Sequence, residues 1–433
     1  MEFLMAAVST PASFDAAAAT DAYIATMDAA ARARSDAYFE GGYWLILVNL
    51  IAGLAMAGLL LQTGFSRGLR DRIHGLVRSK SLTVALYAAI YTIVTTVILF
   101  PLTLWQGYFR EHAYGLSAMS LGGWLGEQVI GLVTGVIMAA IFLTIFYLVL
   151  RLAKRAWWIW GAAVSVVLLA VAIFISPVYI DPLFNEYQPM EEGELRDDIL
   201  ALAEANGIPA DNVYVFDVSR QSNRITANVN GLFGTTRIAL SDTLIDNTDP
   251  DEVLAVMGHE MGHYALNHLW EMFIIFAVVL AIGFAFTDRL FAFVNGRFGK
   301  NWGVSGISDI AGLPLLAACL SVYFFLATPV FNTVIRTNEA EADLFGLNAA
   351  REPDGFATAA LRLASYRKID PGAFEEFVFF DHPSGRARIA MSMQWKAGQL
   401  ALGAEDQTPE LRLDRAEAIS TALVRGREAA EGP

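Results

Sequence analysis

The stretch VIGLVTGVIMAAIFLTIFYLVLRL, running from Val129 to Leu152, decides the fold class. It carries no charged side chain before Arg151. A helix of about 20 apolar residues spans the hydrocarbon core of a bilayer, so this run reads as a transmembrane helix. Working outward, five more runs meet the same standard: residues 43–62, 83–105, 158–180, 269–287 and 310–335. Trp44, Trp105, Trp124, Trp157, Trp158, Trp160 and Trp270 crowd their ends, where aromatic rings favour the headgroup level. Gly131 and Gly135 have the four-residue spacing that lets membrane helices approach closely. Composition agrees, with 55% hydrophobic and only 17% charged residues, against about a quarter charged in a soluble protein.

The net charge of -14 argues against nucleic acid as a partner, because phosphate binding needs a basic surface. The single cysteine, Cys319, lies in an apolar run and reads as a buried small hydrophobe. One cysteine forms neither an internal disulfide nor a thiolate metal site. Residues 1–30 lack the basic start and long apolar core of a secretory signal. The alanine-rich residues 14–34 read as a helix lying along the membrane surface.

A polar stretch, residues 181–268, separates the fourth span from the fifth. Residues 191–206 predict a helix stopped by Gly207 and Pro209. Val213–Val218 and Arg237–Leu240 predict strands, and Asn230-Gly231 between them a turn. Asp249-Pro-Asp-Glu252 then opens another helix, with a capping aspartate, proline at the first position and a capping-box glutamate. Ten residues further on, that helix carries His259-Glu-Met-Gly-His263. Histidines four apart share a helix face, about 5–6 Å apart at their β-carbons, which suits two ligands on one tetrahedral zinc. Glu260, one residue on, is placed to reach a metal-bound water as general base.

A catalytic zinc takes a third protein ligand and keeps a fourth position open. Glu339, in Asn338-Glu-Ala-Glu-Ala-Asp343 just beyond the last span, is the candidate. Asp343 shares its helix face and is read as an orienting partner for a zinc-bound histidine. Glu341 is read as a solvated charge on another face. The competing reading of this segment is an acidic helix end in water. Of the other histidines, His74 and His112 fall in loops without a partner. His268 comes five residues after His263 and is expected to face away from it. His382, in Asp381-His-Pro-Ser384, is either an oxyanion donor or an ordinary loop histidine.

Together these residues resemble the type I CAAX prenyl proteases, a family of membrane-embedded gluzincin peptidases. Four signatures carry the resemblance, from about the first span to Arg388. They are Val178-Tyr-Ile-Asp-Pro-Leu-Phe-Asn185; Ser219-Arg-Gln-Ser222 with Asn230-Gly-Leu-Phe233 and Arg237–Leu244; His259–His263 with Glu339 and Asp343; and His382-Pro with Arg388 six residues later. The resemblance implies a helical barrel around an intramembrane chamber, closed by a mainly helical zinc-protease domain. It implies one Zn2+ on His259, His263 and Glu339, Glu260 as base, His382 near the oxyanion and Arg388 bracing the site. It also implies that Thr226, Ala227, Asn228, Val229 and Asn230 form an edge strand that pairs with substrate. Two features depart from the family: the additional N-terminal span of eukaryotic members is not found, and their oxyanion asparagine aligns with Thr226, two residues from Asn228.

The expected molecule is thus an all-α integral membrane protein with about six transmembrane helices and a small β-hairpin in its protease domain. Residues 1–42 form an N-terminal helical segment and 43–180 four spans. Residues 181–268 carry the zinc motif, 269–335 two more spans, and 336–433 the third ligand. The expected activity is zinc-dependent endopeptidase cleavage of a peptide or protein substrate, membrane-associated or lipidated, in a bacterial inner membrane. The alternatives are a quality-control protease without prenylated substrates, and a non-catalytic transporter or binding protein. A transporter usually shows ionisable residues inside its spans, and these spans are nearly free of them. Arginine and lysine concentrate in loops 63–82, 151–157 and 288–309. By the positive-inside rule this places the zinc domain outside the cytoplasm; the resemblance implies the opposite.

Overall fold

The computed structural model describes residues 14–153, 156–231, 236–404, 407–414, 416–417 and 419. Lys154 and Arg155 of the basic loop, Leu232 and Phe233 of the second signature, and the chain ends 1–13 and 420–433 lie outside the described residues. Among the described residues six helices are long and apolar enough to cross a membrane: Ala29–Gln62, Lys80–Ala113, Leu121–Leu152, Trp157–Leu183, His268–Trp302 and Ile310–Ala350. Each contains one of the six expected runs. In the first five, at most 22% of the apolar window is buried, against 56% in the sixth. The sixth helix packs against the first and the fifth. The others turn Ile51, Val97, Val133, Val167 and Ile274 outward, a surface that needs lipid rather than water.

At one end of the bundle, Tyr87, Phe146, Tyr147, Trp157, Phe284 and Cys319 share a buried core. Cys319 is a small buried hydrophobe, as expected. The loops at this end meet: Arg70 Nη1 stands 2.6 Å from Asp309 Oδ2, and Ser66 Oγ donates to Ala311 O. The basic loops 63–82 and 288–309 therefore share one end of the bundle. The sixth helix starts there, with its helical run at Leu313, and continues unbroken to Ala350. No break marks the boundary expected at 335/336.

The protease part is built on a four-stranded sheet, β1 (Tyr187–Pro189), β2 (Val213–Phe216), β3 (Ala227–Asn230) and β4 (Arg237–Ser241), in the order β1-β2-β4-β3. Both expected strands are present, yet they pair in parallel, Val215 opposite Leu240. The hairpin is β3–β4, with Val229 opposite Ile238. Ile199, Val213, Ile238, Leu240, Met257 and Met261 pin one face of this sheet to helices Glu194–Ala205 and Pro250–Ala265. The second of these, the motif helix, opens as its sequence predicts: Glu252 Oε2 accepts the Asp249 N–H at 2.8 Å.

The N-terminal segment is not a surface-lying helix. It forms a short helix, Ala16–Ala25, whose Tyr23 is buried and donates to Asp354 Oδ1 at 2.6 Å. Ala19 and Ile24 pack with Leu361, Ile389 and Met393 of the C-terminal helices. Its apolar face thus buries itself in the protease part. Asp28 caps the next helix, which runs straight into the first span.

Candidate active site

The site forms where the motif helix crosses the sixth helix. Small residues make the crossing close: Gly258 and Gly262 on one side face Ala342 and Gly346 on the other. A β-carbon on Gly346 would lie 2.7 Å from the His259 backbone nitrogen, and one on Gly262 would lie 3.0 Å from Ala342 Cα. Backbone rests on backbone, so side chains near the crossing need little length to meet.

They meet as the sequence predicts. His259 Nε2 is 3.2 Å from His263 Nε2 and 3.2 Å from Glu339 Oε2. His263 Nε2 is 3.4 Å from Glu339 Oε1. Two imidazole nitrogens and a carboxylate converge within 4.8 Å of one another, a donor set that suits a zinc-type cation. Glu339 Oε2 is buried and makes no hydrogen bond, although the His259 and His382 rings are beside it. A buried carboxylate oxygen without a partner is costly, and a cation among these donors removes the cost. The residues present fit a metal.

His259 is held from behind. Its Nδ1 lies 2.7 Å from Asp343 Oδ1, and Arg388 grips Asp343 through Nε at 2.9 Å and through Nη2. Asp343 is fully buried, so Arg388 neutralises a charge that burial alone would not tolerate. Burial opposes charge on His259, but its hydrogen bond to Asp343 and the neighbouring Glu339 carboxylate prevail and push it up to about 9. His263, half-buried and facing that charge, is held down at about 4 by desolvation and by His259. Two imidazoles this close cannot both be positively charged, and the ring flanked by carboxylates takes the charge. Glu260 is half-buried and lines the adjacent cavity, where burial lifts its carboxyl to about 7.

That cavity has a volume of about 200 Å³. His259, Glu260, His382 and Arg388 form its polar wall; Val256, Phe356 and Leu363 are among its apolar ones. Of the expected strand residues, Thr226 and Ala227 line it, while Asn228, Val229 and Asn230 continue along β3 away from its lining. β3 is the outer strand of the sheet. His382 reaches the centre from the loop after helix Ala373–Phe379: its Nε2 is 3.2 Å from Glu339 Oε2, and Asp381 holds its Nδ1 at 2.8 Å. Tyr366 and Arg367 also line the cavity; nothing in their sequence context marks them.

Three readings need correction. His268 does not face away: its Nδ1 is 2.9 Å from His263 Nδ1. Glu341 is not merely solvated, because its Oε2 is 3.4 Å from His268 Nε2. His112 likewise has partners, its ring nitrogens lying 2.8 Å from Tyr108 O and 2.8 Å from Met119 O.

Comparison with known proteins meets the same architecture. The profile of peptidase family M48 matches residues 189–396. A profile described as CAAX prenyl protease N-terminal, five membrane helices, matches residues 16–186. An uncharacterized metalloprotease of Bacillus subtilis (strain 168), YhfN, is 31% identical over 76% of this chain and 78% of its own. CAAX prenyl protease 1 of Saccharomyces cerevisiae is 29% identical, over 58% of this chain and 59% of its own. The crystal structure of S. mikatae Ste24p superposes with a TM-score of 0.71 at 20% identity, covering 87% of this chain and 96% of that one. It shares the fold. The chain belongs to peptidase family M48, and it is an integral-membrane metalloendopeptidase.

Proposed function

We propose that this protein is a zinc endopeptidase of the CAAX prenyl protease type. Its substrate is a peptide or protein held at the membrane, and its home is a bacterial cell membrane. One observation carries the reading: His259, His263 and Glu339 converge beside Glu260 and His382 at one cavity, where the sixth transmembrane helix enters the protease part. Likeness to relatives named CAAX prenyl protease supports a lipidated substrate, and an intramembrane chamber would receive its lipid.

His259, His263 and Glu339 would hold the zinc ion, which when bound supplies a Lewis acid and an acidified water. Glu260 accepts a proton from the attacking water and later gives it to the leaving amine. Its raised pKa suits a group that must both take and return a proton near neutrality. His382, fixed by Asp381, presents Nε2 to the carbonyl oxygen as negative charge develops there. Asp343 and Arg388 keep the His259 ring in place. The outer edge of Thr226–Asn230 pairs with the extended substrate backbone, a form of strand addition, and Thr226 at the cavity is the nearer candidate for a second oxyanion donor.

The experiment is comparative peptide proteomics on membranes containing the wild type or Glu260→Gln. Cleavage products that vanish in the variant would identify substrates and sites. If the two membrane samples give the same peptides, the proteolytic reading of this site is wrong.

A further inference from the structure

The motif helix ends at Ala265, and a left-handed residue, Asn267 at φ 60, turns the chain before the fifth span starts at His268. In an unbroken helix, five residues rotate a side chain about 140° away. The break instead folds His268 back against His263, with its own side chain buried. Asparagine is among the few residues that adopt this left-handed conformation readily.

We propose that His268, anchored by Glu341, is a positioning residue that sets the tautomer of the metal ligand His263. The protons settle the argument. Glu341, as a carboxylate, only accepts hydrogen bonds. Its Oε2 faces His268 Nε2 at 3.4 Å, so the His268 proton belongs on Nε2. His268 Nδ1 is then a lone pair, 2.9 Å from His263 Nδ1. His263 must place its own proton on Nδ1 to donate across that gap. This frees His263 Nε2, the atom that faces Glu339 and His259, to ligate a cation. The opposite tautomer of His268 would put a proton on His263 Nε2 and block it. Glu341 thereby controls the ligand atom at two removes.

The two ligands are supported unequally. His259 rests directly on Asp343, which is fully buried and clamped by Arg388. His263 rests on a second imidazole whose carboxylate anchor has a side chain 56% exposed. The sixth helix supplies all three acidic groups, Glu339 as ligand and Glu341 and Asp343 as anchors, within five consecutive residues. Because Glu341 is two residues from each of the others, it projects from a different flank, where the turn at Asn267 brings His268.

The inference rests on the metal reading of the site, so its test measures zinc binding and not turnover alone. Full-length protein in detergent is titrated with zinc against a competing chelator. His268→Leu is expected to weaken zinc binding about 10–100-fold. His268→Asn places a carbonyl oxygen where Nδ1 stood and should recover most of that loss, while Glu341→Gln, which can donate as well as accept, should give a smaller loss. Melting temperatures of the zinc-stripped variants separate lost ligand control from lost packing. Wild-type affinity in His268→Leu, or His268→Asn as poor as His268→Leu, overturns the proposal. Failure of the wild type to bind zinc at all would instead defeat the underlying metal reading.

Discussion

Replacing Gly346 by alanine puts one methyl group into the closest helix crossing of the site. Its carbon would lie 2.7 Å from the His259 backbone nitrogen and 3.0 Å from Gly258 C. Non-bonded heavy atoms prefer about 3.5 Å or more. The obstacles are backbone atoms, so no side chain can swing aside, and the helices must part by about 0.8 Å (3.5 less 2.7). The same shift stretches the 2.7 Å contact between His259 Nδ1 and Asp343 Oδ1 to about 3.5 Å, too long for a strong hydrogen bond. It also draws Glu339 back from His259. Overpacking of this kind costs about 1–3 kcal/mol of stability, and a misplacement near 1 Å costs about 10²-fold in rate. The expected result for Gly346→Ala is weaker zinc binding by chelator competition and a kcat/KM reduced by about 10²-fold on any peptide the wild type cleaves. Gly296→Ala on the fifth helix is the control, since a β-carbon there meets nothing within 4 Å. A Gly346→Ala protein with wild-type zinc affinity and turnover would refute the claim that this crossing sets the site.

Glu260→Gln should retain zinc by elemental analysis and lose at least about 10² in kcat, because it removes the base but no ligand; near-normal turnover would exclude Glu260 as base. His382→Phe should cost about 10²–10³ in kcat with zinc content unchanged, and full kcat would return His382 to the rank of a loop residue. Arg362 pairs through two nitrogens with Glu252, which is fully buried, at 2.8 and 2.9 Å; Arg362→Met should therefore lower unfolding stability by about 3–5 kcal/mol, and a loss below 1 kcal/mol would show the pair is dispensable. An alkaline phosphatase fused after Pro433 should be active if the basic loops face the cytoplasm, whereas a bright fluorescent-protein fusion with inactive phosphatase would reverse that orientation.

Much of the molecule was legible because two of its constraints are written locally. A bilayer demands about 20 apolar residues per span, and all six expected runs lie inside the six long helices. A shared helix face demands four-residue spacing, and His259 and His263 meet as that spacing predicts. The failures are of other kinds. Tyr23 finds Asp354 across 331 residues, so nothing near residue 23 announces where its helix docks. Alternation marks β2 and β4 as strands but is silent on their order, and the parallel pairing emerged only in three dimensions. His268 was misread because helical periodicity was carried past residue 265, whereas one backbone angle at Asn267 resets it. The small residues that fix the site were also not the conspicuous Gly131 and Gly135, where an added β-carbon would meet nothing within 4 Å, but Gly258, Gly262 and Gly346.

The membrane helices do more than tether this site. The motif helix is joined to the fifth span by the short turn through Leu266 and Asn267. Glu339, Glu341 and Asp343 stand on an unbroken continuation of the sixth span. Both ligand-bearing elements are thus extensions of adjacent transmembrane helices, and their spacing is fixed from both ends. On the membrane side, Gly283 sits against the Tyr323 ring, whose hydroxyl donates to Val279 O at 2.7 Å. On the protease side, Gly258 and Gly262 rest on Ala342 and Gly346. Along the sixth helix, Glu339 stands between these two contacts. A soluble fragment lacking the spans would keep the motif helix on its sheet core, but it would lose the half of the sixth helix that sets the height and rotation of Glu339. The bilayer-embedded contact is therefore part of the proposed metal site's geometry, and catalysis in this fold is expected to depend on an intact fifth and sixth helix pair.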